Sequence, residues 1–147
     1  MKNERGITLV MLVMTIILML IIVGLSVQTG MDTYNDSMIV KFETYMKMLQ
    51  KNVDIIIEGG TEYINLGSAL TTKQKETLQT IITDNEYIET ESVDEVGLRY
   101  FSAQDIEETF GIKDISDEII INFVRREVIS LNGVEKDGTI YYVEKGL

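Results

Sequence analysis

Arg5-Gly6-Ile7-Thr8-Leu9-Val10 is the junction at which this chain changes character. Ahead of it lies a short, mostly polar stretch, Lys2-Asn3-Glu4-Arg5. Behind it, no charged side chain occurs from Gly6 to Met31. Ile7 to Val27 is almost wholly Ile, Leu, Val and Met, interrupted only by Thr8, Thr15, Gly24 and Ser26. About 20 such residues in a helix match the roughly 30 Å hydrocarbon core of a bilayer. A backbone in lipid must satisfy its own hydrogen bonds, which predicts a helix here. Lys2 and Arg5 precede the run, whereas Asp32 and Asp36 follow it. Basic flanks stay on the cytoplasmic side, so the N-terminus is expected inside and everything beyond about Gly30 outside.

Downstream, the pattern turns from continuous to periodic. Met38, Phe42, Tyr45, Met46, Leu49, Val53, Ile56 and Ile57 recur at three- and four-residue steps and define one helical face. Glu43 and Lys47 form a favourable pair one turn apart, and Gly59-Gly60 reads as a left-handed helix end. The expected plan is therefore residues 1–6 as a cytoplasmic leader, 7–30 as a transmembrane helix, 31–58 as its amphipathic continuation and 59–147 as an extracytoplasmic head.

The head reads as α+β. Tyr63 to Leu66 is a short extended or turn segment. Thr71 with Gln74 fits a capping box for a helix that buries Leu78, Ile81 and Ile82 and ends near Asp84-Asn85. Glu86 to Glu95 reads as an exposed loop with a short strand at Tyr87-Ile88. Ser102 caps a short helix, Ala103 to Phe110, stopped by Gly111. The β-branched runs 119–124 and 127–131, joined through Arg125-Arg126, and a third strand over 139–143 predict a C-terminal antiparallel meander resting on the long helix. Asn132-Gly133 and Asp137-Gly138 are its turn signals.

Composition narrows the chemistry. The chain has 147 residues, a net charge of −11, and neither His nor Cys. Imidazole-activated nucleophiles and thiolate metal sites are thereby excluded. Adjacent carboxylates such as Asp94-Glu95 and Glu107-Glu108 read as solvated surface, so no enzyme is expected. An acidic exterior does not favour phosphate backbones, which excludes a nucleic-acid partner held through a basic patch. Calcium is the one cofactor with candidate ligands, in Asp114, Asp117 and Glu118 or in Glu135 and Asp137; neither group has the spacing of a recognised calcium loop. The expectation is no cofactor.

Lys-Asn-Glu-Arg-Gly followed by Ile-Thr-Leu-Val and a long apolar helix resembles the leader of type IV prepilins and pseudopilins. The resemblance implies cleavage between Gly6 and Ile7 by a membrane prepilin peptidase, leader recognition through Lys2 and Arg5, and methylation of the new amine on Ile7. It implies, as partners, that peptidase, other pilins or pseudopilins, a membrane assembly platform and the lipid bilayer. One position departs from the family pattern: the place usually held by Glu, five residues after the cut, is Met11. In the family that carboxylate is taken to pair with the terminal amine of a neighbouring subunit, and Met11 cannot. The C-terminal third, from Gly111-Ile112 to Tyr141-Tyr142, also resembles the heads of pilin-like proteins of Clostridia-type Firmicutes. The expectation is a non-catalytic minor pilin or pseudopilin of a pilus- or secretion-type filament. The alternative is a monomeric, single-pass surface protein whose head binds a ligand. Ordinary signal-peptide cleavage, at Gly24-Leu25-Ser26, fits less well because the apolar core exceeds the usual 7–15 residues or so.

Overall fold

The computed structural model describes the backbone of residues 2–147, and all side chains except those of residues 1–5, 7 and 22–35. The chain divides into two compact units, Met1–Ser37 and Met38–Leu147.

In the first unit the backbone is helical, belonging to helix α1 (Lys2–Glu58). Every apolar side chain from Leu9 to Ile21 is solvent-facing, at 46–67% exposure. Thr15 Oγ1 donates to the Met11 carbonyl at 2.8 Å, so this hydroxyl is satisfied within the helix. Among the described residues no helix is long and apolar enough to cross a membrane. The expected span, 7–30, includes positions 7 and 22–30, whose side chains lie outside the described residues.

The second unit is α+β. It contains the C-terminal part of α1, a 3-10 turn at Tyr63–Asn65, α2 (Thr72–Asp84), β1 (Leu98–Phe101), α3 (Ala103–Phe110), β2 (Ile119–Asn122), β3 (Glu127–Ser130), β4 (Val134–Lys136) and β5 (Thr139–Tyr141). Strands β1, β2 and β3 form an antiparallel sheet in that order, and β4 pairs with β5 in a separate hairpin. Alternation along the strands serves two layers at once. Phe101, Ile119, Ile121 and Val128 join Phe42, Met46, Leu49 and Val53 of α1 on one face. Leu98, Ile120 and Ile129 join Leu78 and Ile81 of α2 on the other. The sheet is thus packed between two helices, and strands buried on both faces read as continuous apolar runs, as Ile119-Ile120-Ile121 does.

The helix ends follow their sequence signals. Gly60, at φ +71°, closes α1 with Gly60 N donating to Ile57 O and Thr61 N to Ile56 O, the pair of bonds that makes a Schellman motif. Thr71–Gln74 and Ser102–Asp105 both form complete capping boxes, and Gly111 ends α3 in the left-handed region. Asp137 and Gly138, both at positive φ, make the two-residue turn joining β4 to β5.

Three expectations need correction, and one strand was not anticipated. Met38, assigned to the buried stripe, is exposed. No strand forms at Tyr87-Ile88: Glu86 and Tyr87 make a turn and Ile88 follows it in irregular backbone. The third strand of the meander is shorter than expected, 139–141; it pairs with Val134–Lys136, and the carbonyl of Tyr142 just beyond it accepts from Ser130 N of β3 at 2.7 Å. Finally, Leu98–Phe101 is a strand on the β2 edge, with Leu98 opposite Asn122 and Phe101 opposite Ile119.

Candidate functional site

The expected processing site lies in α1. Gly6 is exposed, and a Cβ built on it would meet nothing within 4 Å. The side chains of Lys2, Arg5 and Ile7 lie outside the described residues. Met11 is 66% exposed. The side chains flanking it, Val10 and Leu12, are exposed as well, so it sits within an apolar helical surface rather than in a pocket. A helix that is apolar all round needs apolar surroundings, since about 25 cal/mol is lost for each Å² of apolar surface left in water.

The carboxylates considered for calcium have other occupations. Asp117 is buried, and its two oxygens face inward. Oδ2 accepts from Tyr45 Oη at 2.6 Å and from Ser130 Oγ. Oδ1 accepts from the backbone N–H groups of Glu118 at 2.8 Å and Asn132 at 3.3 Å. Ser130 Oγ in turn accepts from Gly133 N at 2.8 Å. Asp117 therefore ties α1, β3 and the Asn132-Gly133 turn together, and four donors occupy the lone pairs a cation would need. Burial, then the bond to Asp117, push the Tyr45 phenol well above its usual value, so it stays a donor. Glu118 points away and accepts from Tyr100 Oη at 2.6 Å. Asp114, at φ +63°, is exposed, as are Glu135 and Asp137 on the β4–β5 hairpin. Among the described residues no three carboxylates converge closely enough to hold a metal.

A second polar network escaped the sequence reading. Glu127, also buried, accepts from Glu89 N at 2.6 Å, Thr90 N at 3.0 Å and Thr90 Oγ1 at 2.6 Å. Asn122 Nδ2 donates to Thr90 Oγ1 at 3.1 Å and Glu95 Oε2 at 2.9 Å. Arg125 grips Glu95 through two nitrogens, with its Nη2 at 2.6 Å from Oε1. These contacts pin the 86–95 loop to the end of the sheet. Asn122 and Glu127 directly oppose each other across β2 and β3, where a purely apolar pair would continue the core. A polar residue at the end of β2 and another at the start of β3 were the available signal.

The head surface carries two clefts of comparable size. One, of about 440 Å³, lies between α1 (Lys41, Thr44, Tyr45, Met48) and the segment 111–115. The other, of about 420 Å³, lies between residues 82–87 at the end of α2 and all three residues of β5. Comparison with family models, with characterised proteins and with solved structures gives no match to this chain.

Proposed function

We propose that the chain is a prepilin-like, non-catalytic minor pilin or pseudopilin. The leader, residues 1–6, is cut after Gly6 by a prepilin peptidase that recognises Lys2 and Arg5, and Ile7 becomes the methylated terminus. The apolar segment anchors the subunit in the cell membrane and, after assembly, lies in the core of a pilus- or secretion-type filament. The head faces outward. Its partners are other pilins and a membrane assembly platform, and no cofactor takes part.

One observation carries the reading. A single helix, α1, exposes apolar side chains on all sides over 9–21, while its C-terminal part supplies the apolar stripe at the centre of the head core. The first feature calls for lipid or for other helices like it; the second makes anchor and head one covalent element. Met11 removes the carboxylate that would pair with a neighbour's amine, which fits a minor subunit better than the repeating shaft component. The apolar cleft between α1 and 111–115 favours a second reading, an anchored monomer whose head takes a ligand.

Co-expression with a prepilin peptidase tests the proposal. The native chain is expected to shift to a shorter form, and Gly6→Val to stay full length. Equal processing of both, or of neither, refutes it.

A further inference from the structure

We propose that the cleft between α1 and residues 111–115 binds a single-chain anionic amphiphile, in its simplest form a fatty-acid carboxylate. This site deepens the reading of the head as a ligand-binding module and rests on it. Cleavage after Gly6 does not enter, because every residue of the site lies in Met38–Leu147.

The floor of the cleft is apolar. Ile112 and Ile115 are buried and belong to the core cluster that holds Phe42, Met46 and Leu49 of α1. Met48, 44% exposed, lines the helix wall, and its unbranched thioether adapts to an irregular occupant. Tyr45 donates its hydroxyl to Asp117 at 2.6 Å, and Thr44 Oγ1 donates to the Val40 carbonyl at 2.7 Å. Both hydroxyl protons are thus engaged within the head. The volume of about 440 Å³ lies within the roughly 300–1,000 Å³ of small-molecule sites. From Lys41 to Met48 the helix rises only about 10 Å. A stable protein interface buries about 800 Å² on each partner, more than a groove of this length offers. The dimensions therefore favour a small molecule over a protein segment.

The rim is cationic. Lys41 on the helix wall and Lys113 on the facing segment are both exposed, and neither makes an ion pair among the described residues. Lysine stems lie along apolar surface and carry the ammonium to its edge. Asp114 is the one carboxylate in the lining, so two ammonium groups against it leave the cleft positive on a chain of net charge −11. Such a site draws anions, and an occupant that satisfies floor and rim together has an apolar tail and an anionic head. The main chain adds donors: Ile112 to Ile115 make no hydrogen bond to other backbone groups among the described residues. Their N–H groups need a partner, which a ligand head or water supplies. A second copy is a poor occupant, since two chains of this net charge repel each other.

The test uses the full chain in nanodiscs of a zwitterionic lipid, with octanoate, octanol and octyltrimethylammonium as probes. Binding is read from the methyl resonances of Met48, Ile112 and Ile115, which separates the cleft from partition into the bilayer. Octanoate is expected to shift these methyls saturably, octanol to bind at least tenfold more weakly, and the ammonium compound not to bind. The double variant Lys41→Gln/Lys113→Gln, altered only at exposed positions, is expected to lose at least tenfold in affinity for octanoate. Asp114→Asn, which keeps a residue type tolerant of the φ of +63° there, is expected to bind octanoate at least twofold more tightly. Undiminished binding by the lysine double variant, equal binding of octanol, shifts confined to other residues, or no saturable shift with octanoate would overturn the proposal. So would the same methyls responding to protein concentration alone, or more strongly to a blocked Glu-Leu-Glu peptide than to octanoate. That last result would keep the head as a ligand-binding module while removing the amphiphile.

Discussion

Replacing Asp117 by Ala should be among the most damaging single changes to the head. Four donors converge on its carboxylate: the Tyr45 and Ser130 hydroxyls and the Glu118 and Asn132 amides. The two amides belong to exposed residues and can turn to water after the change. The hydroxyls are different, because Ser130 is fully buried and Tyr45 packs against the α1 core cluster. At roughly 1.5–3 kcal/mol for each bond to a charged acceptor, losing these two costs about 3–6 kcal/mol. Native domains have only about 5–15 kcal/mol of stability in all, so the loss is large. Tyr45→Phe removes one of the two donors and leaves the carboxylate three partners, for a loss of about 1.5–3 kcal/mol. Urea unfolding followed by near-UV circular dichroism reads both variants through the tyrosines of the head. A loss below about 1 kcal/mol for Asp117→Ala would refute the view that this carboxylate is a structural tie.

Alkaline titration should separate the tyrosines. Burial, then the bond to Glu118, push Tyr100 up to about 12, and Tyr45 is raised further by burial and Asp117. A phenol whose folded value exceeds its unfolded value near 10 contributes stability that is complete below pH 10 and is lost as pH rises to 12 and beyond. Absorbance of the phenolate should therefore show these two ionising late, and Tyr100→Phe should flatten the loss of stability between pH 10 and 12; ionisation of every tyrosine near pH 10 in the folded chain would contradict this. In the anchor, Met11→Glu should increase incorporation into sheared filaments, since it restores a carboxylate that can pair with a neighbouring terminal amine. No increase would count against the role given to that position.

Local chemistry was the legible part of this chain. The capping box at Thr71, the Ser102 cap, the glycine end of α1 and the Asp137-Gly138 turn each depend on residues within a few positions of one another, and each formed where expected. The core stripe of α1 was visible for the same reason, failing only at its first residue, Met38. What stayed hidden depends on distant partners. β1 is four residues long with Arg99 inside it, and that guanidinium is satisfied by the Leu66 and Gly67 carbonyls more than thirty residues earlier. The structural role of Asp117, which the sequence offered only as a candidate calcium ligand, was hidden because its donors, Tyr45 and Ser130, lie 72 and 13 positions away. Glu127 was legible only as the start of a β run, because its partners Glu89 and Thr90 lie 38 and 37 positions away.

The central claim concerns what happens at Gly6-Ile7, and the mass of the mature N-terminus measures it directly. Protein recovered from membranes of a cell that makes it, digested and analysed by mass spectrometry, is expected to begin at Ile7 with one methyl group on the amine. An intact Met1, or a terminus near Val27, would contradict the account.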